Sequence, residues 1–312
     1  MTELQRYLAE EVAEDHGDGI ITRREAIRRL GLLGVTGSAA TSLLAAFAPG
    51  AEASGSRKRS GRRQGSSRGA GDIEWAPVAT EAITFPGPRG TLMAAWAPAE
   101  RARGGVLVIH ENRGLNAHIR SVAGRFAASG YSALAIDLLS DEGGTGAFPG
   151  EAEVAAALAA IAPERFAADM KAGVTELKRR VPRGRVAATG FCFGGGMVWL
   201  LLTSGERRLA AAAPFYGPFP DGGQLSRSKT AVLGIYAGLD DRVNATRDAA
   251  RAAVEDARLE HQFVTFSEAD HAFFNDTGAR FNPAAMAEAY RRVLDWFDRF
   301  VARHGDGRHA KR

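Results

Sequence analysis

Short apolar runs and longer helical patterns alternate through most of the chain. Ile83–Phe85 and Leu92–Trp96 are split by Pro86-Gly87-Pro88, which predicts an opening antiparallel pair. Gly105–His110 (GVLVIH) is continuous and β-branched, the pattern of a strand buried on both faces. A helix is predicted over Ala117–Ser129, ended by Gly130, then a strand over Tyr131–Leu138. Helices follow over Glu151–Ile161 and Pro163–Arg180, a strand over Arg185–Thr189 and a helix over Gly195–Leu202. Leu209–Phe215 and Ala231–Tyr236 read as strands, Ala245–Ala257 as a helix and His261–Phe266 as the last strand. Pro283–Arg303 is an amphipathic closing helix. Repeated strand–helix units without an internal repeat predict one α/β domain over 72–312, with a mostly parallel sheet covered on both faces.

The first 53 residues break this rhythm. Thr22-Arg23-Arg24-Glu25-Ala26-Ile27-Arg28 precedes a weakly apolar run from Leu30 to Ala48, and Ala51-Glu52-Ala53 supplies a small-x-small cleavage pattern. A basic region, an apolar region and a small-residue site in that order predict an export signal over 1–53. The paired arginines make it resemble a twin-arginine signal, which implies export machinery as a partner and a periplasmic or extracellular location. A transmembrane anchor fits less well, because Gly31, Gly34, Gly37, Ser38, Thr41 and Ser42 interrupt the run.

Composition sharpens the picture in two places. With 45% hydrophobic and 24% charged residues the chain is not intrinsically disordered. Its net charge of +4 is unevenly spread: 54–71 hold six basic side chains and no acid, whereas 72–312 hold 29 basic against 28 acidic. The basic stretch is Ser/Gly/Arg-rich with no aromatic residue for base stacking, so it reads as a flexible linker and no nucleic-acid partner is expected. The single cysteine, Cys192, excludes an internal disulfide and any cysteine-built metal cluster.

That cysteine stands in Gly190-Phe191-Cys192-Phe193-Gly194-Gly195-Gly196, between the strand RVAAT and the helix MVWLLL. This is the G-x-nucleophile-x-G pattern in its proper strand–turn–helix context. The turn sets Cys192 at a helix N-terminus, where the dipole favours thiolate, and presents the Phe193 N–H as an oxyanion donor. An α/β-hydrolase fold then requires an acid and a histidine, in that order, at later strand ends. Asp240 follows the Ala231–Tyr236 strand and His271 follows the last one; Asp241 and Asp270 are rivals for the acid. His271 is the expected base and Asp240 its orienter.

G-F-C-F-G-G around Cys192, A-G-L-D-D around Asp240, A-D-H-A-F around His271 and H-E-N-R-G-L-N at His110–Asn116 together resemble the dienelactone hydrolase family, over roughly residues 75–302. The resemblance implies that Glu111 pairs with the thiol and helps to generate the thiolate, and that the Asn112 N–H completes the oxyanion hole. A carboxylate beside a thiol has that capacity on chemical grounds alone, although Glu111 also suits a strand-end ion pair with Arg113 or Arg120. Dienelactone-cleaving members anchor a substrate carboxylate with two arginines. Neither His271–Asp276 nor Gly143–Ile161 contains one, which leaves Arg113 and Arg120 as candidates that fit equally well as solvent-exposed charges.

These residues predict a hydrolase that cleaves an ester, enol-lactone or thioester of a small-molecule substrate through an acyl-cysteine, with no metal or organic cofactor. A redox-sensing or peroxide-scavenging thiol would leave Asp240 and His271 unexplained. A non-catalytic binding member of the fold is the other alternative.

Overall fold

Thr2 and Thr22 each open a helix. Thr2 caps α1 (Glu3–Gly17): its hydroxyl accepts the Gln5 N–H, and the Gln5 side chain accepts the Thr2 N–H in return. Thr22 caps α2 (Arg23–Leu32) through the Glu25 N–H, and Glu25 pairs in turn with Arg28 and Arg29. A turn at Gly34, with φ of +80°, leads to α3 (Gly37–Ala46). The computed structural model describes residues 1–47, 76–226 and 228–302. Ala51-Glu52-Ala53 and the basic 54–71 stretch lie outside them.

The alternation used to read the chain does not extend to α1, whose apolar positions Leu4, Tyr7, Leu8 and Val12 sit at helical spacing among many acids. The described part of the apolar run that starts at Leu30 is divided between α2 and α3 with a turn between them, and Ala48 lies outside the described residues. Among the described residues no helix is long and apolar enough to cross a membrane. These three helices belong to the first of two units, Met1–Trp75; the second is Ala76–Arg312.

The second unit begins with β1 (Glu81–Pro86) and β2 (Thr91–Ala97), an antiparallel pair closed by a Gly87 N–H bond to Gly90 O. Then come β3 (Gly104–Ile109), α4 (Ala117–Ala128), β4 (Tyr131–Asp137), α5 (Glu151–Ala159) and α6 (Pro163–Arg180). The chain continues through β5 (Val186–Phe191), α7 (Phe193–Thr203), β6 (Leu209–Phe215), β7 (Ala231–Ala237), the one-turn α8 (Asp241–Asn244), α9 (Arg247–Asp256), β8 (His261–Phe266) and α10 (Pro283–Phe300). The eight strands form one sheet in the order β1-β2-β4-β3-β5-β6-β7-β8. β2 pairs antiparallel with both β1 and β4; from β4 across to β8 every pairing is parallel.

The mostly parallel sheet expected from the alternation is therefore present, as are the helices on both faces. β3, β4, β5 and β7 are buried along their whole length, as strands covered on both sides must be. α4 and α10 lie together on one face, with Phe126 against Tyr290 and Phe297 at ring separations of 5.3 and 5.9 Å. α6 and α7 pack on each other and on β3 and β5, with Phe166 edge-on to Phe193.

This topology brings the loops after β3, β5, β6, β7 and β8 to one edge of the sheet. Glycines let their backbones meet. A Cβ on Gly195 would lie 2.2 Å from Phe215 O, and one on Gly194 would lie 2.4 Å from Ile109 O and 2.5 Å from His110 O. Gly195→Ala is expected to destabilise the protein by about 3 kcal/mol, because both contacting segments are backbone in a packed core. Gly146→Ala, where an added Cβ meets nothing within 4 Å, should be close to neutral. Urea midpoints at unchanged slope would measure both; equal midpoints would show that the close approach is unimportant.

Candidate active site

Cys192 sits where β5 breaks into α7. Its φ of 57° and ψ of −121° are strained for a residue with a side chain. The turn is held by bonds on both sides: Cys192 N–H donates to Phe215 O (3.1 Å), while Cys192 O accepts from Gly195 and Gly196 N–H (2.9 and 3.2 Å). The cysteine is buried and forms no disulfide. Phe193 begins α7, so its N–H is one of the first-turn donors that an α-helix leaves without an intrahelical acceptor. Strain recurs nearby. Four described non-glycine residues have positive φ, and besides Cys192 they include Tyr216 (33°) after β6 and Ala272 (59°) beside His271.

The sulfur of Cys192 and a ring nitrogen of His271 lie within 4.8 Å of one another. His271 Nδ1 is 2.6 Å from Asp240 Oδ2, and both side chains are buried. Asp240 also caps α8, accepting the Val243 N–H at 3.0 Å. Of its rivals, Asp241 points out as the exposed first residue of α8. Asp270 accepts the backbone N–H of His271 at 2.7 Å, so it shapes the loop and leaves the ring to Asp240. Burial alone would lower the His271 pKa. The charges of Asp240 and Cys192, with the hydrogen bond to Asp240, outweigh it and hold the pKa well above the usual value. Burial likewise works to raise Asp240, but the charge and hydrogen bond of His271, then Arg242 and the Val243 N–H, bring it below the carboxylate range. Such an arrangement favours imidazolium beside thiolate.

Glu111 is buried on the loop after β3 and accepts a hydrogen bond from Asn275 Nδ2 at 2.7 Å. Asn275 is itself held by Thr277, whose N–H and hydroxyl both donate to Asn275 Oδ1. Tyr216 lies beside the same group. Burial, then the charges of Glu111 and Cys192, push its phenol pKa well up against the opposing Phe274 amide, and its ring is 5.2 Å from that of His271. Its hydroxyl is buried with no hydrogen-bond partner of ordinary geometry among the described residues.

The four side chains singled out from sequence, Cys192, Asp240, His271 and Glu111, thus occupy one neighbourhood, with Asn112 and Phe193 next in chain to two of them. Arg113 reaches Glu151 on α5 at 3.5 Å with its side chain one-third exposed, and Arg120 is a half-buried residue of α4. Sequence reading missed Asn275 and Tyr216. Asn275 lies four residues after His271 and Tyr216 directly follows β6, and neither stands in a motif that marks it for chemistry.

An eight-stranded sheet of this order, with the functional loops gathered at one edge, defines an α/β hydrolase. The model of the dienelactone hydrolase family matches residues 92–301, and the chain belongs to that family of ester-bond hydrolases. A protein of Escherichia coli O157:H7 named "Putative carboxymethylenebutenolidase" is 28% identical over 208 residues, covering 62% of this chain and 76% of that one. The crystal structure of a "Putative Dienelactone Hydrolase" from Klebsiella pneumoniae superposes with a TM-score of 0.62 at 25% identity, covering 71% of this chain and 98% of the other. Pyrococcus horikoshii acylaminoacyl peptidase shares the fold alone, with a TM-score of 0.58 at 17% identity over 74% of this chain and 43% of that one.

Proposed function

We propose that the protein hydrolyses an ester, enol-lactone or thioester of a small molecule through an acyl-Cys192 intermediate. The observation that carries this reading is the buried 2.6 Å contact of His271 Nδ1 with Asp240 Oδ2, with the Cys192 sulfur close to the same imidazole.

In the first half-reaction the Cys192 thiolate attacks the acyl carbon. The carbon–sulfur bond forms as the carbonyl π pair moves onto oxygen, where the Phe193 and Asn112 amides receive it. Collapse breaks the bond to the leaving oxygen or sulfur, which takes its proton from the His271 imidazolium. Neutral His271 then draws a proton from water as the water attacks the thioester. Breaking the carbon–sulfur bond releases the acid and restores the thiolate, and His271 keeps the proton. Asp240 fixes the tautomer that leaves Nε2 for this work. When a neutral thiol ionises, Glu111 receives its proton and returns it as the thiol re-forms, while Asn275 holds the carboxylate in the resting site. Named as carboxymethylenebutenolidase, the relatives support lactones among the substrates. The absence of arginine from His271–Asp276 supports less dependence on a substrate carboxylate.

The same reading takes the chain as exported, supported by Arg23-Arg24 ahead of an interrupted apolar run.

Mass spectrometry after rapid acid quench with an activated short-chain ester is expected to find the acyl group on the Cys192 peptide. Turnover with no adduct there, or an adduct on another residue that forms fast enough to be the intermediate, would overturn the mechanism.

A further inference from the structure

His110 ends the β3 region just before Glu111, and its ring is completely buried. Its Nε2 lies 3.2 Å from the Leu138 N–H, which is a donor only. Nε2 must therefore accept, the hydrogen must reside on Nδ1, and Nδ1 must donate to Glu111 O at 2.7 Å. Burial lowers the pKa of His110 against the opposing influence of Asp137 and the Glu111 carbonyl, so the ring stays neutral, as this pair of bonds requires.

The oxygen that receives this bond belongs to the Glu111–Asn112 peptide, whose other end is the Asn112 N–H. A trans peptide is planar, and its N–H points opposite to its C=O. A donor that fixes the carbonyl therefore fixes the direction of the amide. It also draws electron density toward the oxygen, which makes the N–H a better donor. Gly114 N–H adds a second bond to the same oxygen at 3.1 Å. The loop is further braced by Thr145, which accepts the Leu115 N–H at 2.8 Å and is tied to Asp137. The ring itself matters too: it stacks on Phe193 with a centroid separation of 6.0 Å and an interplanar angle of 22°.

We propose that His110 is the positioning residue of the oxyanion hole, aiming the Asn112 amide through the Glu111 carbonyl while its ring seats Phe193, the residue that supplies the other amide. This rests on the reading of those two amides as the oxyanion donors. His110 touches neither substrate nor sulfur in this role. It orients the peptide that does.

Two variants separate its contributions. His110→Phe keeps a flat ring against Phe193 but loses both hydrogen bonds; His110→Asn keeps a donor near the Nδ1 position but loses the ring. Two reactions of Cys192 separate aiming from general damage. Ester hydrolysis builds an oxyanion, whereas alkylation by iodoacetamide displaces iodide at a saturated carbon and builds none. The expected result is a fall in kcat/KM of about 100-fold for His110→Phe, the scale of one lost oxyanion donor, with His110→Asn recovering to within about tenfold of wild type. Alkylation of Cys192 and its pH profile should stay within about twofold in both. Near-wild-type hydrolysis by His110→Phe, no recovery in His110→Asn, or alkylation falling in parallel with hydrolysis would each overturn the inference. If wild-type enzyme turns over the ester without acylating Cys192, the mechanism beneath the inference fails, and the inference with it.

Discussion

Cys192→Ala is expected to reduce kcat/KM for activated esters by about 10⁴-fold or more, the scale at which a covalent nucleophile is lost. The size follows from the neighbourhood. Cys192 is the only cysteine in the chain, so no second thiol can take its place. What remains is water held near His271 and the oxyanion amides, worth far less than an intramolecular thiolate. The substitution should also leave a spectroscopic trace. The Cys192 charge helps to raise the pKa of both His271 and Tyr216, so its removal should move both down toward their ordinary values. Titration of the His271 ring by NMR measures the first of these. Ester turnover within tenfold of wild type, or a His271 pKa that does not fall, would contradict the assigned nucleophile.

Asp240→Asn should lower kcat by roughly 10³–10⁴-fold, as expected when the group that orients a catalytic histidine loses its charge but keeps its shape. An asparagine amide facing Nδ1 no longer favours the imidazolium, and its N–H end favours the wrong tautomer. The sign of the pH effect follows. Asp240 raises the His271 pKa; without its charge the imidazolium is lost at lower pH, and the thiolate loses its partner. Alkylation of Cys192 near pH 6 should therefore slow, its profile moving toward that of an ordinary thiol near 8.5. Stability offers an independent check. The depressed Asp240 pKa means that its contribution is present above the ordinary carboxylate value and lost as pH falls through the lowered one. The stability difference between wild type and Asp240→Asn should shrink over that acidic range. An unchanged alkylation profile with full turnover would return Asp240 to a purely structural role as the cap of α8.

How much of this was legible in the chain varies from element to element. The continuous apolar runs at β3, β4 and β7 declared themselves because strands covered on both faces have no polar side to hide. Pro163 at the start of α6 and Gly130 after α4 marked their ends by backbone chemistry that acts locally. α1 escaped because its apolar stripe lies among acids, and α8 because a single turn has no periodicity to detect. At the site, the glycines flanking Cys192 expressed a local need for close backbone approach, so the turn could be read from sequence. Asn275 and Tyr216 carried no such mark, since neither residue type is unusual in a loop.

The sequence by itself determined the order of the strands and longer helices of the second unit, the strand–Cys192–helix turn and the candidacy of Asp240 and His271, because local sterics and hydrophobic period encode these. Only the tertiary structure decided that Asp240 rather than Asp241 or Asp270 meets the His271 ring, that Asn275 holds Glu111, and that His110 bonds the peptide carrying the Asn112 amide. The first two contacts join loops far apart in the chain; the third is between neighbours, but the ring is oriented by the distant Leu138 N–H. They depend on sheet order and on close backbone packing to within a few tenths of an ångström, which no pattern along a single sequence records.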